Sequence, residues 1–205
     1  MIPGELHVWR VWLDQADAGH FPAPTPDEAT RAERFLSSET ASRYLHAHAA
    51  LRAILEQIAG LPLEFGLAAS GKPYLLQAPG VRFNLARSDS LALVAVALEV
   101  EVGVDVEKLR PLPDREEIAR HFFPAREFAA FAEVPDAARE RAFFRRWTRM
   151  EAVVKARGVG LYGAADELEG PWTIAEIDVG PHFAAAVAAP RAGLAVHVHD
   201  FGADA

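Results

Sequence analysis

From Arg139 to Arg157 the sequence holds no proline and no glycine, and the run stops at Gly158. It therefore reads as one long helix, with Glu151 and Lys155 at i and i+4 on a single face. Upstream, Val102 to Val106 is rich in β-branched valine and reads as a strand whose period of two puts Asp105 and Glu107 on one side. The helix face that carries Glu151 and Lys155 is thus available to meet the strand's two carboxylates. Three anions within a few ångströms repel by several kcal/mol in total at an effective dielectric of about 20, so such a cluster calls for a bound cation or a proton. Magnesium suits it, because it takes hard oxygen ligands and is usually held by one or two carboxylates together with substrate phosphates.

Neither stretch says much alone. An aspartate at a strand end more often caps or turns the chain than binds metal, and Glu151 with Lys155 would by itself be a surface ion pair worth about 0.3 to 0.5 kcal/mol. Taken in order, however, Gly103-Val104-Asp105-Val106-Glu107 and Trp147-Thr148-Arg149-Met150-Glu151-Ala152-Val153-Val154-Lys155 resemble the paired motifs of the long, surfactin-synthetase-activating type of 4′-phosphopantetheinyl transferase. The matching residues are Gly103, Val104, Asp105, Glu107, Trp147, Thr148, Glu151, Ala152 and Lys155. Met150 stands where the family has the first lysine of a Lys-Glu pair, which removes a cation beside the implied metal site. A lysine restored at 150 is expected to be tolerated.

The resemblance spans nearly the whole chain. Gly71-Lys72-Pro73 is similar to the family's Gly-Lys-Pro segment, which helps to bind coenzyme A, and Asn84-Leu85-Ala86-Arg87-Ser88 is similar to its Asn-Leu-Ser-His-Ser segment. Ala86 gives up a hydroxyl. Arg87 takes the place of histidine, and a guanidinium, always charged and able to bind bidentately, suits the same phosphate. The resemblance thus implies coenzyme A contacts from Gly71, Lys72, Pro73, Asn84, Arg87, Ser88 and Lys155. Arg43 and Arg52 lie in a helical stretch that borders coenzyme A in the family and are further candidates, although solvated helix charges are the commoner case.

The implied reaction is concrete. Asp105, Glu107 and Glu151 would hold Mg2+, or Mn2+ in its place, against the pyrophosphate of coenzyme A. A serine hydroxyl of an acyl or peptidyl carrier protein would attack the phosphorus that bears phosphopantetheine, and adenosine 3′,5′-bisphosphate would leave. Lys155, Lys72 and Arg87 are the implied cations for the phosphoryl charge. Glu151 is the candidate base, which makes Glu151 and Lys155 the catalytic pair. The alternative is a chain that keeps the coenzyme A pocket or a carrier-docking surface without the transfer.

Composition bounds these readings. With 205 residues, 51% of them hydrophobic, the chain can bury a sizeable core. It has no cysteine, which excludes thiol nucleophiles and cysteine-ligated zinc. The net charge of −8 argues against non-specific nucleic-acid binding. No stretch approaches the eighteen or so apolar residues of a membrane span, and a cytoplasmic protein is expected. An acidic carrier would need a local basic surface, for which Arg139, Arg141, Arg145, Arg146, Arg149 and Arg157 are candidates; Phe122, Phe123, Phe128 and Phe131 read mainly as core. His197 and His199, two apart on a strand, share a face and could in principle chelate a metal, although such a pair is usually just solvated.

Along the chain, strands are expected at Glu5 to Leu13, Val81 to Asn84, Ala92 to Leu98, Val102 to Glu107, Trp172 to Val179, His182 to Ala188 and Leu194 to Phe201. Helices are expected after a cap at Thr25 or Asp27, from Glu39 to Ala59, within Asp114 to Phe131, and through to Arg157. Periodicity alone gives a mixed α/β protein. The resemblance implies more: a pseudo-duplicated α+β fold of two similar halves, 1–101 on the coenzyme A side and 102–205 carrying the metal ligands. Each half would pack helices on a mainly antiparallel sheet, with the active site in the cleft between them. A two-halved chain needs no partner to complete that cleft, so a monomer is expected.

Overall fold

The computed structural model describes residues 2–14, 22–60, 62–158 and 170–202. Strand β1 (Glu5–Trp12) is followed by helices α1 (Pro26–Ala32) and α2 (Ser38–Ala59), a short ribbon of β2 (Phe65–Leu67) and β3 (Pro73–Leu75), and strands β4 (Val81–Ser88), β5 (Leu91–Leu98) and β6 (Gly103–Lys108). Helices α3 (Arg115–Phe122), α4 (Ala125–Ala132) and α5 (Asp136–Arg157) then precede β7 (Thr173–Glu176), β8 (Phe183–Ala189) and β9 (Ala195–Asp200). Among the described residues no helix is long and apolar enough to cross a membrane.

Local chemistry sets the boundaries. Thr25 and Glu28 form a capping box at the start of α1, each side chain bonding the other's main-chain N–H. Pro124 lacks an N–H and divides the expected helical stretch into α3 and α4. Gly158 ends α5 in a left-handed conformation, φ 69°, that favours glycine. Strand β4 runs on to Ser88, beyond the expected end at Asn84, because the hairpin to β5 turns only at Asp89 and Ser90; Asp89 has φ 52°, a conformation that aspartate tolerates. Strands β2 and β3 were not expected, being three residues each with no room for a periodic pattern.

Two sheets pack face to face. The first has the order β4-β5-β1-β9, with β1 antiparallel to β5 and parallel to β9, and the second is the antiparallel β6-β8-β7. Between them lie Leu6 and Val8 of β1, Leu93 and Ala95 of β5, Val104 and Val106 of β6, and Ala185 and Val187 of β8. On its outer side the first sheet is covered by α2, where Val11, Val94 and Val96 meet Ala47, Leu51, Ile54 and Leu55. The second is covered by α5, where Ala186 and Ala188 meet Ala152 and Val153. The layers therefore run helix, sheet, sheet, helix, and each sheet carries one helix of 22 residues.

The outer face of the second sheet is made of small residues. Gly103 pairs with Ala188, Asp105 with Ala186 and Glu107 with Ala184, while the large valines of β6 point the other way. Helix α5 comes so close that a Cβ placed on Gly103 would run into the Ala152 carbonyl oxygen and the Ala156 main-chain nitrogen. Glycine is therefore required by space at 103.

Candidate active site

That close approach builds the site. Residues 103, 105 and 107 share the α5 side of β6, so Asp105 and Glu107 face the helix turn that carries Glu151 and Lys155. The Lys155 ammonium donates to Asp105 Oδ1 at 2.6 Å. Glu107 accepts from the Ser88 hydroxyl at 3.2 Å and lies 3.6 Å from Arg110. The remaining motif residues hold the helix in place. Trp147 stacks on Phe143 and meets Phe122 edge-on, the buried Thr148 hydroxyl bonds back to the Arg145 carbonyl, and Ala152 is fully buried at the contact with Gly103.

The cluster has more negative charge than it has neutralisation. Asp105 is 5% exposed, and burial pushes its carboxyl up to about 7; Lys155 opposes the shift, while Glu107 and Glu151 add to it. Burial likewise raises Glu151, with Lys155 pulling it down and Glu107 pushing it further up. Asp105 and Glu151 thus each feel Glu107, with Lys155 as the cation that Asp105 and Glu151 share. Asp105 Oδ2 is buried and has no hydrogen-bond partner among the described residues. A buried carboxylate oxygen with no donor, in a carboxylate whose proton affinity Glu107 and Glu151 raise further, is an arrangement that a hard cation completes.

The other candidate residues lie close by in varied roles. Asn84 Oδ1 accepts the Val104 N–H at 2.9 Å, and Ser88 Oγ accepts the Lys108 N–H at 3.0 Å. Four apart on β4, these side chains satisfy the free edge of β6 and tie the two sheets together beside the carboxylates. Gly71 turns the β2–β3 ribbon at φ 82°. Lys72 beyond it bonds Glu101, the Val102 carbonyl and the Ala156 carbonyl, joining that ribbon to the start of β6 and the end of α5. Lys72 and Pro73 line an open cavity of about 230 Å³ with Ser70, Tyr74, Arg82 and Arg157. Arg87 lies on the α2 side, exposed, with its guanidinium over the rings of Phe35 and Tyr44. Arg43 is taken up by Asp14, Glu39 and Asp89. Arg52 is buried, bonding Glu28 and the carbonyls of Pro22 and Ala23, so it anchors the approach to α1.

A family model for the 4′-phosphopantetheinyl transferase superfamily matches residues 101–189, a span that holds all three carboxylates and Lys155. The 4′-phosphopantetheinyl transferase HetI of Nostoc sp. is 36% identical over 170 residues, covering 78% of this chain and 72% of that protein. The chain belongs to the 4′-phosphopantetheinyl transferase superfamily. Among further similar proteins, the 4′-phosphopantetheinyl transferase psf-1 of Bacillus pumilus is 29% identical over 192 residues, covering 84% of this chain and 81% of that one. A Bacillus subtilis 4′-phosphopantetheinyl transferase is 29% identical over 165 residues, with 76% and 72% covered.

In this transferase Met150 does not sit beside the carboxylates, contrary to the expectation from the motif. It is 2% exposed and packs among Phe123, Phe131, Phe143, Phe144 and Val154. Consecutive helix residues point about 100° apart, so a side chain next to Glu151 in sequence faces elsewhere. The same core takes Phe123 and Phe131 fully and Phe122 and Phe128 in part, as expected. Sequence reasoning missed Glu101, partner of Lys72 and Arg82, and Asp89, which pairs with Arg43 and Lys108. The Ser-Asp-Ser turn was the available signal for Asp89; nothing in the sequence marks Glu101.

Proposed function

We propose that this transferase moves the 4′-phosphopantetheine group of coenzyme A onto a serine hydroxyl of an acyl or peptidyl carrier protein. Asp105, Glu107 and Glu151 would hold the divalent cation, Mg2+ in preference to Mn2+. The observation that carries the reading is Asp105 Oδ2, a buried carboxylate oxygen without a partner among the described residues, whose carboxyl also feels the charge of Glu107 and Glu151. A bound cation supplies neutralisation of charge on the pyrophosphate oxygens. Lys155 holds Asp105 by its Oδ1, so that Oδ2 keeps its orientation, and it offers positive charge to the phosphoryl group.

The serine oxygen forms a bond to the phosphorus as the bond to adenosine 3′,5′-bisphosphate breaks, and the serine proton passes to Glu151. Burial raises the proton affinity of that carboxylate, and Lys155 opposes the shift. Lys72, Pro73 and the cavity they line form the proposed coenzyme A side, with Gly71 setting the turn; Asn84, Arg87 and Ser88, which lie outside that cavity on β4, are proposed as further contacts along the same side. Arg43 and Arg52 act through the acidic partners and carbonyls they hold. We divide the chain at residues 101 and 102, the nucleotide side before and the cation side after, with β9 crossing back to complete the first sheet, and propose a cytoplasmic monomer.

The test is incubation of the purified chain with coenzyme A, Mg2+ and a panel of apo carrier proteins, each then weighed by intact mass spectrometry. A Mg2+-dependent gain of one phosphopantetheine is expected, lost in Glu151→Ala and Asp105→Ala at unchanged circular dichroism. Binding of coenzyme A with no mass gain on any carrier would overturn the reading in favour of a binding protein.

A further inference from the structure

Far along the sequence from the carboxylate site, the parallel register of β1 and β9 sets His7 beside His197 and Trp9 beside His199. Strand alternation puts Glu5, His7 and Trp9 on one face of β1, with His197 and His199 on the same face of β9. His197 and His199 alone would be a solvated pair or a weak chelate, and β1 brings two further donors beside them. His7 Nε2 is 3.1 Å from Glu5 Oε2, and His197 Nε2 is 3.6 Å from Glu5 Oε1. The His7 and His197 rings stack with centroids 4.9 Å apart. One donor atom from each of Glu5, His7 and His197 lies within 4.8 Å of the others.

The chemistry of this set differs from that of the carboxylate site. Two imidazoles and one carboxylate suit a borderline cation such as Zn2+, whereas Mg2+ prefers oxygen throughout. A tetrahedral zinc with bonds of about 2.1 Å has ligand atoms about 3.4 Å apart, and the one ligand atom from each of these residues lies within 4.8 Å of the others, close enough for small side-chain rotations to reach that spacing. His7 Nε2 and the Glu5 carboxylate stand at a hydrogen-bond separation, which the imidazole proton fills in the metal-free protein and which a metal ion replacing that proton would fill instead. His7 is also oriented from behind, with Nδ1 2.9 Å from His199 Nε2, and His199 in turn stacks on Trp9. A fixed outer partner on the second ring nitrogen is the usual companion of a metal-binding histidine. The side chains of His7 and Glu5 are 14% and 24% exposed and that of His197 is 45% exposed, so an ion can enter from solvent.

We propose that Glu5, His7 and His197 form a second metal site, selective for Zn2+ over Mg2+, with His199 positioning His7. A metal ion held there staples the edge strand β9 to β1.

The test is thermal melting of the full chain with Zn2+ titrated from a metal-free start. Wild type, His197→Ala, and an Asp105→Asn/Glu151→Gln double variant in which the carboxylate site is disabled are compared. At saturation, wild type and the double variant should each gain about 5 °C or more in Tm, and Mg2+ should not reproduce the gain in the double variant. His197→Ala, an exposed position, should fold, keep its Mg2+-supported transfer rate and lose the zinc response; Glu5→Gln should weaken it at least tenfold in Zn2+ concentration. Absence of a zinc shift in wild type, an undiminished shift in His197→Ala, or a shift abolished by the double variant would each overturn the proposal.

Discussion

Gly103→Ala tests the idea that the active site depends on how closely a helix backbone can approach a strand. A Cβ at 103 would fall inside the 3.0 Å limit of real contacts by more than half an ångström at both the Ala152 carbonyl oxygen and the Ala156 nitrogen, and would sit 3.0 Å from Ala156 Cα. These are all main-chain atoms, so no side chain can swing aside, and α5 must retreat by roughly 1 Å along its contact with β6. Overpacking of this kind costs about 1 to 3 kcal/mol, and the absence of a yielding neighbour puts this case near 3. For a chain of this size that lowers Tm by about 6 to 12 °C.

The retreat also carries Glu151 and Lys155 away from Asp105, and a misplacement of about 1 Å can cost on the order of 100-fold in rate. Melting curves and the initial rate of carrier loading, followed by intact mass, give the two readouts on one protein sample. Ala152→Gly should not rescue the variant, because the obstructing atom is the residue's carbonyl. A Gly103→Ala protein that melts within about 1 °C of wild type and loads carrier within about twofold of its rate would refute the reasoning.

Two further outcomes follow from burial. The Asp105 pKa is raised from 3.8 to about 7, so its favourable contribution is fully present below pH 4 and drains away as pH rises towards 7. In chelator, wild type should therefore lose roughly 2 to 4 kcal/mol between pH 4 and 8, whereas Asp105→Asn should show a flatter profile and be the more stable protein at pH 8. Urea melts at both pH values decide this, and a less stable Asn variant at pH 8 contradicts it. Met150→Lys, expected from the motif to be tolerated, should instead cost about 2 to 4 kcal/mol, because it places an ammonium among Phe123, Phe131, Phe143 and Phe144. Unchanged chemical denaturation would show that the lysine escapes to water.

That Asp105 and Glu107 share one face, and Glu151 and Lys155 another, was legible from the strand and helix periods; that the two faces belong to one site was legible only from the pair of motifs taken together. The alanine face of β8 was not legible as a feature, since alanine suits many settings and its meaning depends on α5 lying across it. Asn84 and Ser88 stood out by their motif, yet their bonds to the edge of β6 depend on how two sheets abut, which no local pattern encodes. Met150 was misjudged because a motif position says what neighbours it in sequence and nothing about which way it points. The histidine cluster went unseen for a related reason: its members come from strands whose pairing is a long-range fact.

That pairing also bears on how the protein is made. Arg10 and Asp200, paired across β1 and β9, are separated by 190 residues, so at about 5 to 20 residues per second β1 waits roughly 10 to 40 s for its neighbour. Throughout that time the first sheet can assemble as β4-β5-β1, but it exposes a free row of main-chain donors and acceptors along β1. The nascent chain is then open to pairing with a neighbour on the same messenger, and the late arrival of β9 is the event that ends this exposure.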